Sequence, residues 1–131
     1  MNRNINILLI DDEPDFLEIT SKRMIRRGYS VKTATNCEDA FGEMQTGWPQ
    51  VVILDVMLPD QDGLLCLKEI KQAWPKIIVI LLSGHASMQA GLKSVEYGAH
   101  DYCLKPVEFD QLVEKIEIAF REAGGSRKTD K

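Results

Sequence analysis

Short apolar runs that each stop at polar residues, with helical patterns between them, restrict this chain more than any other feature. Residues 7–10 (Ile-Leu-Leu-Ile) run into Asp11-Asp12, and residues 51–54 (Val-Val-Ile-Leu) into Asp55. Residues 77–82 run into Ser83-Gly84, residues 99–104 into Lys105-Pro106, and residues 29–34 alternate in polarity. Continuous β-branched runs of this length read as strands buried on both faces, the mark of a parallel sheet.

The intervening segments read as helices. Pro14 suits a helix start, where its missing N–H costs nothing, and Gly28 closes that helix after Lys22, Arg23, Arg26 and Arg27. Leu17, Met24 and Ile25 are expected on its buried stripe, with Phe16 and Ile19 exposed. Thr35 and Glu38 resemble a capping box before Ala40, Phe41 and Met44. Residues 64–74 form a third helix ended by Pro75. A fourth, over 87–97, is weakened by the internal Gly91 and is the expected mobile element. Phe109, Leu112, Val113, Ile116 and Phe120 fall on one stripe of the last. Five strand–helix pairs make an alternating α/β fold over residues 1–122. Residues 123–131 carry no apolar pattern and read as a flexible tail or the start of a linker.

Composition narrows the function. A chain of 131 residues predicts one domain. Sixteen basic against twenty acidic residues leave a net charge of −4, which argues against a nucleic-acid face. The basic cluster ending the first helix reads as a solvated face, and Trp48 and Trp74 as packing residues at helix ends. No apolar run approaches the length of a membrane span, and the first residues lack a signal-peptide pattern, so a cytoplasmic location is expected. Three cysteines without a C-x-x-C pair read as reduced, small apolar residues.

Ligands of parallel α/β sheets bind at the carboxyl ends of the strands. Those ends here carry Asp11, Asp12, Asp55, Ser83 and Lys105. Carboxylates converging at one edge repel, so a cation is needed if all are to stay ionised. An oxygen-only donor set without a His/Cys cluster suits Mg²⁺ better than zinc. A lysine and a hydroxyl beside such an ion suit a phosphoryl group, with an aspartate as nucleophile.

Four segments carry a family resemblance: Leu8-Leu9-Ile10-Asp11-Asp12-Glu13, residues 51–63 from Val51 through Asp55 to Asp62-Gly63, Leu82-Ser83-Gly84, and Asp101-Tyr102-Cys103-Leu104-Lys105-Pro106. In this order the chain resembles the receiver domain of two-component response regulators. The resemblance implies a CheY-like, flavodoxin-like (βα)5 fold: a doubly wound five-stranded parallel sheet of order 2-1-3-4-5. It implies that Asp55 takes a phosphoryl group from a histidine kinase or phosphotransfer protein. Asp12 and Asp55 would hold Mg²⁺ directly, with the Met57 carbonyl as a third ligand and Asp11 acting through water. Ser83 and Lys105 would contact the phosphoryl group, Tyr102 would follow Ser83, and the Lys105–Pro106 peptide would be cis.

The expected product is a switch rather than an enzyme, one that assists its own phosphorylation and dephosphorylation. Its output is expected through a protein target or homodimerisation, with no nucleic-acid contact in this chain and no membrane. The signal would be read on the fourth helix, fifth strand and last helix, while Phe16 and Ile19 would dock the phosphodonor. Two rivals stand beside this reading. A Mg²⁺-dependent phosphohydrolase would want a carboxylate where Met57 stands. An unphosphorylated scaffold has no need of clustered charge.

Overall fold

The computed structural model describes residues 4–84 and 93–124. Strands β1 (Asn6–Ile10), β2 (Ser30–Ala34), β3 (Val51–Asp55), β4 (Ile78–Ser83) and β5 (Asp101–Leu104) form one parallel sheet. Its order is β2-β1-β3-β4-β5, as the resemblance implied. Helices α1 (Pro14–Arg26), α2 (Cys37–Gln45), α3 (Gly63–Ala73) and a C-terminal helix (Phe109–Glu122) cover it. Of the predicted fourth helix, residues 93–96 are helical and Tyr97 lies in a turn, while residues 87–92, with Gly91, lie outside the described residues, as do residues 125–131 of the expected tail.

Alternation along the central strands divides the core in two. Ile7, Leu9, Ile53, Ile80 and Leu82 pack with Leu17 and Met24 of α1 and Leu112, Ile116 and Phe120 of the C-terminal helix. Their neighbours Leu8, Ile10, Val52, Leu54, Val79 and Leu81 pack with Ala40 and Met44 of α2 and Leu67 and Ile70 of α3. Each fully buried Ile or Leu contributes roughly 2 kcal/mol, so burial on both faces of β1, β3 and β4 holds the sheet between its helices. β2 lies at the sheet's edge, and its Lys32 and Thr33 are exposed.

Several local expectations are corrected. Ile25 is 54% exposed, and Thr20 joins Leu17 and Met24 on the buried face. At 100° per residue Ile25 lies about 80° around the helix from Leu17, outside that stripe. Asn36, not Thr35, caps α2, its Oδ1 accepting from the Asp39 amide at 2.8 Å. The basic cluster is not wholly solvated: the Arg23 and Arg27 guanidinium groups stand 4.3 and 5.2 Å from the Phe109 ring centroid, and Arg27 pairs with Asp110. This pins α1 to the C-terminal helix. Cys37 and Cys66 form a disulfide between α2 and α3, so only Cys103 remains a free thiol. Cysteines 29 residues apart carry no spacing signal, and only the packing of α2 on α3 brings them together.

Candidate functional site

The sheet order reverses between β1 and β3, which opens a crevice above their carboxyl ends. Asp11 and Asp12 follow β1, and Asp55 ends β3. One carboxylate oxygen from each lies within 4.8 Å of the others. Asp11 and Asp55 are buried and Asp12 is exposed, so the group has a protein side and a solvent side. Asp11 Oδ1 accepts the Glu13 amide at 2.9 Å, and Asp55 Oδ1 accepts the Met57 amide at 3.3 Å.

Lys105 reaches across from the end of β5. Its Nζ lies 2.6 Å from Asp11 Oδ2, 3.1 Å from Glu13 Oε1 and 3.6 Å from Asp55 Oδ2. The Lys105–Pro106 peptide is cis. Burial alone would lower the Lys105 pKa, but its hydrogen bonds to Asp11 and Glu13 and the Asp11 and Asp55 charges outweigh that and raise it. Asp55 is raised too, first by burial and then by the Asp11 charge, with Lys105 opposing. One lysine thus faces a surplus of carboxylates. Exposed Asp12 leaves room for water, and all the donors are oxygens; that set fits a hard divalent ion such as Mg²⁺.

Ser83 ends β4 beside this cluster and is buried; its carbonyl accepts the Lys105 amide at 2.7 Å. In the β3–β4 register Asp55 stands opposite Leu82, which puts Ser83 one residue beyond Asp55. Tyr102 is half-buried, in register with Leu81, and packs against the α2/α3 side of the core. The structure therefore brings Asp11, Asp12, Asp55, Ser83 and Lys105 to one rim. Met57 sits just above it, 57% exposed, on the loop between β3 and α3.

Phe16 departs from expectation. It is half-buried against the core, with Lys105 Nζ 4.7 Å from its ring centroid, because α1 starts directly beneath the lysine. Ile19 is 59% exposed as expected. Two further residues of these motifs contribute to the site. Glu13 is a second carboxylate on Lys105. Gly63 lies so close to β3 that an added Cβ would stand 2.3 Å from the Asp55 carbonyl oxygen. The D-G pair marks a helix start in sequence, but that approach is visible only in three dimensions.

A family model described as the response regulator receiver domain matches residues 7–117. The nitrogen assimilation regulatory protein NtrX of Azorhizobium caulinodans is 34% identical over 116 residues, covering 87% of this chain and 26% of that protein. The chain spans about a quarter to a half of the length of the curated relatives it matches. A CheY-like receiver domain protein from Methanospirillum hungatei JF-1 superposes with a TM-score of 0.88 at 27% identity, covering 93% of this chain and 98% of that one. The receiver domain of NtrX from Brucella abortus does so with a TM-score of 0.82 at 31% identity, covering 88% and 98%.

Proposed function

Because the chain belongs to the response regulator receiver domain family, the phosphoryl-accepting switches of two-component systems, we propose that Asp55 is its phosphoacceptor. The observation that carries this is the meeting of Asp11, Asp12, Asp55 and Lys105 at the strand ends. An Asp55 carboxylate oxygen attacks the phosphorus of a phosphohistidine on a histidine kinase or phosphotransfer protein. The P–O bond forms as the P–N bond breaks, and the electron pair leaves with the imidazole nitrogen. Asp12, Asp55 and the Met57 carbonyl would hold Mg²⁺, with Asp11 acting through water, and the ion would supply charge neutralisation for the phosphoryl oxygens.

The chain's own groups do the rest. Lys105, resting on Asp11, turns its ammonium to the phosphoryl oxygens, and the Ser83 hydroxyl donates to another. Tyr102 follows Ser83. The added charge biases residues 93–96, β5 and the C-terminal helix between two arrangements. A protein target or a second copy of the chain reads that face, where Val95 and Leu104 are exposed and Lys115 pairs with Asp101 at 3.1 Å. Water attacks the phosphorus as the P–O bond to Asp55 breaks; the carboxylate leaves with the electron pair, inorganic phosphate carries off the water's oxygen and a proton passes to solvent, so the same rim that takes up the phosphoryl group assists its removal.

Residues 1–122 act as the receiver unit. Among the described residues no helix is long and apolar enough to cross a membrane. We place the protein in the cytoplasm, in contact with protein rather than nucleic acid. Ile19, with the edge of Phe16, docks the phosphodonor; Ile19→Ala should slow transfer from the kinase and not from a small phosphodonor, and equal slowing of both would remove that role. Incubation with Mg²⁺ and acetyl phosphate should add the mass of one phosphoryl group, labile to hydroxylamine, and Asp55→Asn should abolish it. Equal labelling of that variant would overturn the assignment.

A further inference from the structure

Helix α2 begins with amides that have no acceptor within the helix. One is satisfied by its own cap: Asp39 N–H donates to Asn36 Oδ1 at 2.8 Å, and the first bond within the helix runs from Ala40 N–H to the Asn36 carbonyl at 3.2 Å. Two more go to a residue from a different part of the chain. Cys37 N–H donates to Asp60 Oδ1 and Glu38 N–H to Asp60 Oδ2, each at 3.1 Å. Asp60 stands on the β3–α3 loop, three residues after Met57. Its carboxylate is exposed, yet the two amides hold its pKa below the ordinary carboxylate range.

That loop is anchored at its base and, through Asp60, near its tip. At the base, Val56 N–H donates to the Leu82 carbonyl at 2.9 Å, Gly63 N–H to the Val56 carbonyl at 2.6 Å, and Met57 bridges to Asp62. Asp62 itself caps α3 through the Leu64 amide. Toward the tip, Asp60 ties the loop to α2, and the Cys37–Cys66 bond joins the same first residue of α2 to α3. Beyond these anchors at its base, the loop that carries Met57 is tied to α2 through the Asp60 carboxylate.

We propose that Asp60 is a positioning residue for the Mg²⁺ site, tying the loop that carries the Met57 carbonyl to the N-terminus of α2. The role rests on the phosphoacceptor reading above. Groups that orient metal ligands from behind influence affinity without touching the ion. A carboxylate at a helix N-terminus is well suited, because the two amides and the helix dipole hold it in one orientation.

Calorimetric Mg²⁺ titration of the full chain, with thermal melting alongside, tests this on four proteins: wild type, Asp60→Ala, Asp60→Asn and Asn36→Ala. Asp60→Ala should raise the Mg²⁺ Kd about tenfold. Its maximal rate of labelling by acetyl phosphate at saturating Mg²⁺ should stay within about twofold of wild type, as expected when positioning rather than chemistry is lost. Asp60→Asn, which keeps one acceptor oxygen, should fall between. Asn36→Ala removes the helix's own cap and should lower the melting temperature while leaving the Kd unchanged. An unchanged Kd in Asp60→Ala would overturn the inference, as would an Asn36→Ala protein weakened equally, since the effect would then belong to α2 stability. A wild type that binds no Mg²⁺ would remove the phosphoacceptor reading and this role with it.

Discussion

Lys105 and Asp11, 94 residues apart in sequence, meet at 2.6 Å with side-chain exposures of 16% and 1%. The ammonium substitutes for part of the positive charge the rim needs before any cation arrives. Removing one partner of such a pair leaves a buried, uncompensated charge, a loss of about 3 kcal/mol. Lys105→Met should therefore unfold at lower denaturant in metal-free buffer, and Mg²⁺ should restore part of the difference. Equal stability of the two proteins in chelator would show that the pair does not hold the rim together.

Asp55 makes metal-free stability depend on pH. Burial and the Asp11 charge raise its pKa above the ordinary 3.8. The folded state then holds the proton more tightly than the unfolded chain. The resulting stability is full below the unfolded pKa and is lost as pH rises through the raised folded value. In chelator, the melting temperature of wild type should fall relative to Asp55→Asn as pH climbs from about 4 toward neutrality. Adding Mg²⁺ near neutral pH should close the gap. Parallel pH profiles in chelator would contradict the assignment of the strain to Asp55.

Two glycines near the site should behave oppositely. A Cβ on Gly63 would stand 2.3 Å from the Asp55 carbonyl oxygen and 2.6 Å from the Val56 Cα, and backbone atoms yield little. Gly63→Ala should lose about 2 kcal/mol or more, the upper range of overpacking, and slow acetyl phosphate labelling by displacing β3. Among the described residues, a Cβ on Gly84 meets nothing within 4 Å. Gly84→Ala should stay within about 0.5 kcal/mol of wild type. Denaturant titrations of both variants give the comparison, and a reversed order would contradict the packing described.

The cysteines offer a covalent check. Without reductant, unfolded protein should take up one alkylating label, at Cys103, whose buried thiol has a pKa of about 11 and labels slowly while folded. With reductant it should take up three. Reduction should lower stability by roughly 3.6 kcal/mol on a chain-entropy account of a loop this long. Three labels without reductant would show that the bond between α2 and α3 is absent.

Much of this was legible in the sequence because apolar runs and their polar ends are local signals. The runs ending at Asp11, Asp55 and Ser83 placed three strands and marked the site residues at their ends. The C-terminal stripe of Leu112, Val113, Ile116 and Phe120 was equally plain, since 3.6 periodicity is read along one helix. What escaped was the pairing of distant surfaces. Phe109 received Arg23 and Arg27 from α1, Cys37 met Cys66, and Asp60 reached the α2 amides; none of these has a spacing of its own. Ile25 failed for a different reason: an apolar residue near the edge of a stripe is assigned to it by composition and leaves it by angle.

The most direct measurement is the position of the acyl phosphate. Borohydride treatment of the protein labelled with Mg²⁺ and acetyl phosphate reduces a phosphorylated aspartate to homoserine, which peptide sequencing by mass spectrometry locates. Homoserine at position 55, and at neither 11 nor 12, is the expected result. Homoserine elsewhere, or none in protein that has gained a phosphoryl group, would contradict the account.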